Sequence, residues 1–414
     1  EPLKQLLLPY LDVSAVAEKI CQLANDEALY SQIRAALLAR SATFEGSIDG
    51  YAVRLVEVAN SAAEEARAVT HSYESAKAEK LVASEELLPA TPPHDPVPQD
   101  HLQTYLQRWR IAASAGVMPP KWIRRPVAGF NPLIYLEDAL AGDLSKEPFT
   151  DWLQKGRPEG RWTHPIVNLT AAPTAQTSTA KVLLHGHFYY LDLIEEFLDR
   201  LSKNRNEFDL LVTVPNEPAV ERAQALVARL APQRKVEVRA VGNLGRDIGP
   251  LLSSIRFDEL SKYDIVGHIH GKKSPHAAYQ IGDVWRTFLW EHLVGGETPA
   301  ADICVERLMS NPNLGLIFPE DPNLIGWDAN FEAATALAKR MGRTAPLPAT
   351  FEWPIGTMFW ARPAALKPLY DLKLTSGDYP EEPVPPDGTI LHALERLIPF
   401  AVEQAGFGYA ASHL

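Results

Sequence analysis

Short apolar runs alternate with amphipathic stretches from residue 181 onward, and this alternation restricts the fold more than any other feature. Runs of strand length cover residues 181–189, 208–214 and 236–241, and a fourth ends near His268. Helical periodicity lies between them, at 191–201, 217–230 and 251–260. Strands that alternate with helices are typical of parallel βαβ units. We therefore predict an α/β domain over residues 180–414.

Polar side chains crowd the point where the fourth strand should end. His268 and His270 lie on that strand, and Lys272 and Lys273 follow directly. In open α/β sheets, ligands bind outside the carboxyl ends of the strands. Two histidines and two lysines at such a place predict an anion site. A solvated loop with an incidental basic run is the alternative.

Composition excludes several classes of function. The formal charge of -12 argues against broad binding to nucleic acid or to anionic membranes, since both need a basic face. No apolar run reaches the length of about 18 residues that a membrane span needs. Cys21 and Cys304 are too few for a disulfide framework or a cysteine zinc site, which favours a reducing cytosol. Because the chain begins at Glu1, we expect it to be part of a longer polypeptide.

The first part of the chain has a different pattern. Residues 1–87 carry apolar side chains at helical spacing and predict an α-helical segment. Five prolines among residues 88–98 then exclude a helix or a central strand. We therefore predict a linker and connector over 88–179, with a short helix near Trp109. Its aromatic residues alternate with Gly and Pro, which favours packing of the rings over stacking on sugars.

Five sequence blocks, in order, resemble a known family over residues 180–410. The blocks are His-Gly-His-Phe-Tyr at 185–189, Asn-Leu-Gly-Arg-Asp-Ile-Gly-Pro at 243–250, His-Ile-His-Gly-Lys-Lys-Ser at 268–274, Pro-Ile-Gly-Thr-Met-Phe-Trp-Ala-Arg-Pro at 354–363 and Asp-Gly-Thr-Ile-Leu-His-Ala-Leu-Glu-Arg at 387–396. Together they resemble the rhamnan synthesis F family, rhamnosyltransferase-like proteins of bacterial surface polysaccharide assembly. The resemblance implies a GT-A-like (Rossmann-like) nucleotide-sugar-binding domain. Residues 1–70 resemble, more weakly, the closing helices of a GT-B glycosyltransferase.

The resemblance implies transfer of a deoxyhexose, with rhamnose the first candidate, from a dTDP- or GDP-rhamnose type of donor. The acceptor would be a growing, lipid-linked glycan, as in O-antigen and lipopolysaccharide synthesis. We expect the domain in the cytoplasm or at the inner face of the cytoplasmic membrane, beside other glycosyltransferase domains of a longer polypeptide. Two alternatives stay open. One is a non-catalytic glycan-binding or scaffold module, and the other is a metal-dependent hydrolase with four histidine ligands: His185, His187, His268 and His270.

The donor site departs from the usual GT-A pattern. Most GT-A enzymes hold a divalent metal on the diphosphate with Asp-x-Asp, and the matching position here is His268-Ile-His270. Imidazoles are poor ligands for magnesium, whereas the positive charge of a lysine can neutralise the negative charge of a diphosphate directly. We therefore predict transfer without a metal cofactor, with Lys272 and Lys273 on the diphosphate and magnesium or manganese as the fallback. We predict that His185 and His187 join the same donor site.

The turn after the third strand supplies further candidates for donor binding. Its two glycines permit close approach of the backbone to a ligand. We predict that Asn243 and Asp247 contact the nucleotide or the donor sugar and that Arg246 binds phosphate. The alternative is a helix start with Asp247 as its N-cap.

Candidate residues for activating and binding the acceptor come later in the chain, after residue 353. An inverting transferase needs a carboxylate to take the proton of the acceptor hydroxyl. Asp387, directly before a helix predicted at 389–398, is the first candidate and Glu382 the second; a helix N-cap is the alternative for Asp387. Trp360 lies in a β-edge predicted over 354–362 and would either stack on a sugar or pack in the core. Glu395 lies on the helix face of His392 and would support the site.

Overall fold

The computed structural model describes residues 88, 102, 105–106, 108–109, 124–171, 179–242, 244–271, 279–385 and 387–414. Predictions for residues 1–87, for the proline-rich stretch beyond Leu88, and for Asn243, Lys272 and Lys273 fall outside these residues. Two compact units make up the chain. The first comprises Glu1–Thr163 and Pro322–Leu324, and the second comprises His164–Asp321 and Ile325–Leu414.

Aromatic packing holds the described part of the first unit. Helices α1 (Pro132–Asp138) and α2 (Pro148–Gln154) each begin with a proline that follows a side-chain cap. Phe130 stacks on Trp152 with ring centroids 4.2 Å apart, and both rings are buried. Trp109 is helical and buried in the same apolar cluster. The short helix and the packing role predicted for this connector are therefore confirmed.

The second unit is built on one eight-stranded sheet. Its strands are β1 (Ile166–Asn168), β2 (Val182–His187), β3 (Asp209–Val214), β4 (Val236–Ala240), β5 (Ile265–His270), β6 (Leu314–Pro319), β7 (Phe359–Ala361) and β8 (Gly408–His413). Their order is β1-β8-β6-β7-β5-β2-β3-β4. Every pairing is parallel except those of β7 with β5 and β6. The α/β class is therefore confirmed, with one reversed strand that the sequence did not predict.

Helices cover both faces of this sheet. They are α3 (Leu193–Leu201), α4 (Glu217–Leu230), α5 (Ile248–Leu252), α6 (Phe257–Leu260), α7 (Tyr279–Leu293), α8 (Ala300–Ser310), α9 (Phe331–Arg340), α10 (Pro363–Tyr370) and α11 (Ile390–Gln404). One apolar cluster unites residues of α5, α9, α10 and α11, and another unites residues of α3, α4, α7 and α8. None of these helices, nor any other in the described ranges, is long and apolar enough to cross a membrane.

Several predicted elements need correction. The single helix expected over 251–260 is two short helices, α5 and α6. The segment predicted as a β-edge contributes β7, which lies in the middle of the sheet between β5 and β6. The domain was expected to begin at residue 180. The sheet nevertheless includes β1, which lies before that residue and pairs with β8.

Candidate functional site

The two His-x-His segments lie side by side at the carboxyl ends of β2 and β5. In their parallel pairing His185 is opposite His268, and His187 is opposite His270. Residues two apart on a strand share one face, so all four rings lie on the same side of the sheet. Their apolar neighbours on that face belong to the cluster that includes α5 and α11. The prediction that the two pairs meet in space is confirmed.

The inner pair, His185 and His268, is buried, with 1% of each residue exposed. Their Nδ1 atoms are 2.9 Å apart, so one ring donates to the other. His185 Nε2 lies 2.8 Å from the hydroxyl oxygen of Thr213. Burial, reinforced by neighbouring histidines, lowers the pKa of both rings well below 6.5. The inner pair is therefore neutral at pH 7.

The outer pair, His187 and His270, reaches other groups. His187 Nδ1 lies 3.0 Å from the Thr213 hydroxyl, and burial lowers the pKa of His187 to about 4. His270 Nε2 donates to the carbonyl oxygen of Gly356 over 2.8 Å. The same nitrogen is 3.7 Å from a carboxylate oxygen of Asp247. The outer pair thus lies next to a negative charge, which also acts on the buried His268.

His392 lies between the influence of two carboxylates. Burial lowers the pKa of His392, while the charges of Asp387 and of Asp247 act to raise it, so each carboxylate lies within electrostatic range of His392. Asp247 occupies the N-cap position of α5, yet its side chain makes no capping hydrogen bond, which argues against the capping role. We call the following group the rim cluster: His187, Asp247, His270, Asp387 and His392.

Asp387 is held in place by hydrogen bonds. Its carboxylate accepts from Asn330 Nδ2 and, over 3.1 Å, from the backbone nitrogen of Ala329. Partial burial would raise the pKa of Asp387, but these donors lower it below its usual value. Thr389, not Asp387, is the N-cap residue of α11, so the N-cap alternative is wrong. The carboxylate is ionised at neutral pH and keeps lone pairs for a further donor.

Arg246 and Glu382, predicted to bind phosphate and to act as a second base, contact each other. Arg246 Nε is 3.3 Å from the Glu382 carboxylate, and Arg246 Nη2 donates to the carbonyl oxygen of Val384. A hydrogen bond from the backbone nitrogen of Val384, followed by the contact with Arg246, lowers the pKa of Glu382. Both side chains are 42% exposed. Exposed ion pairs contribute little free energy, so Arg246 can exchange this partner for a phosphate at low cost.

Trp360 does not line the site. The residue is completely buried, and its indole nitrogen donates to the carbonyl oxygen of Leu293. Neighbours on a strand face opposite sides of a sheet. On β7, Phe359 therefore packs near the His268 ring, while Trp360 packs on the other face against Phe208. The predicted stacking on a sugar is wrong, and the core alternative is correct.

The turn before β7 contains residues whose importance the sequence did not reveal. Gly356 and Thr357 both have positive φ, 96° and 58°, which is strained for a β-branched side chain. Glu395 holds this turn by accepting from Gly356 N over 2.8 Å and from the Thr357 hydroxyl over 3.0 Å. The Gly356 carbonyl is thereby presented to His270. Sequence spacing gave Glu395 only an unspecified supporting role.

The histidines do not form a metal site. Within the part of the chain that the structure describes, no group of three or more His, Cys, Asp or Glu side chains could hold a metal ion. The inner rings hydrogen-bond to each other, and His185 and His187 share Thr213 as a partner. This arrangement does not fit the zinc hydrolase that the sequence left open.

An open, mostly parallel sheet with a polar cluster at the carboxyl ends of its strands is the arrangement in which α/β domains bind their ligands. The model of the family "Rhamnan synthesis protein F" matches residues 156–407, so the chain belongs to that family. The resemblance predicted from the five sequence blocks is confirmed.

Individual relatives are more distant. The uncharacterised protein WxcX, from two strains of Xanthomonas campestris pv. campestris, is 32% identical over 249 residues. That match covers 58% of this chain and 34% of WxcX, so the chain spans about a third of the length of these relatives. A solved structure, glucosyl-3-phosphoglycerate synthase from Mycobacterium tuberculosis with Mn2+, UDP and glucosyl-3-phosphoglycerate, is 13% identical. It matches 60% of this chain and 77% of its own at a TM-score of 0.25, which supports no structural inference.

Proposed function

We propose that the second unit is a GT-A-like glycosyltransferase domain of polysaccharide synthesis that transfers a deoxyhexose, with rhamnose the first candidate. The observation that carries this proposal is membership, over residues 156–407, of a family described by its part in rhamnan synthesis. The position of the rim cluster supports it, because ligands of open α/β sheets bind at the carboxyl ends of the strands. The donor would be a nucleotide sugar of the dTDP- or GDP-rhamnose class.

The proposed reaction is a single displacement with inversion. An acceptor hydroxyl attacks the anomeric carbon, the bond from that carbon to the diphosphate oxygen breaks, and the nucleoside diphosphate leaves. Asp387 takes the hydroxyl proton as general base, oriented by Asn330 and Ala329. Glu382 is the second candidate for this base, and it would first have to release Arg246. His187 and Arg246 would bind the diphosphate by a hydrogen bond and by charge.

We propose further that the leaving diphosphate is neutralised by Lys272 and Lys273 in place of a metal ion. Activity should then survive EDTA, and Lys272→Ala should weaken binding of a nucleoside diphosphate more than binding of the nucleoside. A charge-assisted hydrogen bond contributes about 1.5 to 3 kcal/mol, so the loss should be roughly tenfold to a hundredfold in affinity. Lys203→Ala, which removes a half-exposed lysine of a surface pair with Asp199, is the matched control. Loss of activity in EDTA, restored by magnesium or manganese, would reject the metal-free mechanism.

The same proposal includes the acceptor, the place in the cell and the partner domains. A growing surface polysaccharide such as an O-antigen is assembled on a lipid, so we propose a lipid-linked acceptor at the inner face of the cytoplasmic membrane. Other glycosyltransferase domains of a longer polypeptide would be the partners. A non-catalytic glycan-binding module is the competing function, and it requires no nucleotide sugar.

The deciding experiment incubates the chain with a panel of nucleotide sugars and a lipid-linked glycan, and measures both release of nucleoside diphosphate and extension of the glycan. We expect turnover with dTDP- or GDP-rhamnose, and turnover about 10² to 10⁴ lower with the Asp387→Asn variant. Turnover with a different nucleotide sugar would show that the donor is not rhamnose-based, while the proposal that the domain is a glycosyltransferase would stand. Glycan binding without turnover of any donor would instead favour the binding module.

A further inference from the structure

A continuous chain of hydrogen bonds joins the inner histidine pair to the rim. It runs from His268 Nδ1 to His185 Nδ1 over 2.9 Å, and from His185 Nε2 to the Thr213 hydroxyl over 2.8 Å. From the same hydroxyl it reaches His187 Nδ1 over 3.0 Å. Thr213 lies on β3, beside β2, and is completely buried. Each link needs one donor and one acceptor, so the proton positions along the chain depend on one another.

Two arrangements of neutral rings use all three links. In the first, His268 donates to His185, His185 donates to Thr213, and the hydroxyl donates to His187 Nδ1. The second ring nitrogen of His187, Nε2, then carries a hydrogen. In the second arrangement every donor is reversed, so that His187 carries its hydrogen on Nδ1 and His268 carries its hydrogen on Nε2.

The far end of the chain distinguishes these two arrangements. His268 Nε2 is buried and has no hydrogen-bond partner among the described residues. The second arrangement would place an N–H at this atom, and orphaned buried N–H groups are rare in proteins. The first arrangement places only a lone pair there and gives every donor within the chain an acceptor. In a third form, His185 and His187 both donate to the hydroxyl oxygen of Thr213. The hydroxyl hydrogen then has neither of these two rings as its acceptor.

We propose that Thr213 is a positioning residue whose hydroxyl donates to His187 Nδ1 and so keeps the Nε2–H of His187 available for an anionic ligand oxygen. The inner pair fixes the first of these links, because His185 must donate to Thr213 when it accepts from His268. A buried, neutral histidine thereby becomes a hydrogen-bond donor of fixed direction at the rim. The assignment of that anion to the diphosphate of a sugar donor rests on the proposed function.

The hydrogen on His187 is directly measurable. Two-bond 15N–1H correlations of the histidine side chains distinguish the Nε2–H form from the Nδ1–H form, and the signals of His187 are assigned by their loss in His187→Asn. We expect the Nε2–H form in the wild-type protein. Thr213→Val removes the donor with little change of volume and should release His187 into a mixture of forms. Thr213→Ser keeps the hydroxyl and should restore the wild-type pattern.

Inorganic pyrophosphate is the probe for the anion. Loss of one charge-assisted hydrogen bond should lower its affinity about tenfold in Thr213→Val and leave it nearly unchanged in Thr213→Ser. The Nδ1–H form in the wild-type protein, or equal pyrophosphate affinity of the two variants, would overturn the proposal, and so would a failure of the wild type to bind pyrophosphate. Pyrophosphate binding that follows the expected pattern, without transfer from any nucleotide sugar, would reject the proposed function and leave this inference intact.

Discussion

The inner and outer histidine pairs occupy the same two strands, two residues apart, yet their surroundings differ. His185 and His268 hydrogen-bond to each other, and their rings stack with centroids 4.9 Å apart. His270 instead binds the Gly356 carbonyl and approaches Asp247. The strands are identical for both pairs, so the difference comes from the loops that reach the end of the sheet.

This comparison separates scaffold from chemistry. The inner pair is neutral and buried, and its hydrogen bonds join its two rings to each other and to Thr213. We therefore expect replacement of either histidine to change the free energy of unfolding. In the outer pair, His270 contacts groups that arrive from two loops, at 244–247 and 354–357. We therefore expect the outer pair and its carboxylates to govern ligand binding and reaction.

The largest effect should come from Asp387→Asn. If the chemistry lies at the rim, loss of the general base should lower turnover by about 10² to 10⁴ and leave donor affinity within a few-fold. Turnover and donor affinity are measured on one preparation. Asp371→Asn, which changes an exposed carboxylate paired with Lys367, is the matched control. An early-melting Asp387→Asn variant that binds no donor would show that Asp387 only anchors Asn330.

A smaller effect is expected at the turn that presents the Gly356 carbonyl. Glu395→Ala would leave two buried donors, Gly356 N and the Thr357 hydroxyl, without their acceptor, at a cost of about 1 to 3 kcal/mol in unfolding free energy. Glu395→Gln keeps an accepting oxygen and should lose much less. Chemical denaturation of both variants measures the difference. Equal losses in the two would mean that the negative charge, not the hydrogen bonds, holds the turn.

The smallest effect concerns pH, where the inner ring His185 and the outer ring His187 should behave alike. Burial lowers the pKa of His187 from 6.5 to about 4, so between these values only the unfolded chain binds the proton. The free energy of unfolding should therefore fall as the pH falls from 6.5 to 4, by up to about 1.4 kcal/mol per pH unit for each such ring. Denaturation at several pH values should show a shallower slope in both His185→Asn and His187→Asn. A slope changed by His185→Asn alone would mean that His187 is charged in the folded protein.

Much of the fold was predictable because its signals are local. The strand and helix pattern from 181 to 230 gave β2, α3, β3 and α4 close to their observed bounds. The place of the two His-x-His segments at the ends of predicted strands was enough to predict that the two pairs meet in space. These conclusions need only periodicity and the rules of parallel sheets.

The errors come from contacts that sequence spacing does not encode. For Trp360 the sequence is compatible with stacking on a sugar and with packing in the core, and only the antiparallel insertion of β7 decides which way the ring faces. Thr213 carries no motif, and its position between two histidines follows from the register of β2 with β3. The pairing of Arg246 with Glu382 joins residues that are far apart in sequence.

Asp247 gives the most direct test of the claim that the rim is the ligand site. The measurement is the affinity of the nucleotide sugar that the wild type turns over, by calorimetric titration of wild type, Asp247→Asn and the surface control Asp371→Asn. Loss of the carboxylate charge beside His270 should change donor affinity at least tenfold in Asp247→Asn, while Asp371→Asn should stay within a few-fold of wild type. Unchanged donor affinity in Asp247→Asn would contradict the account.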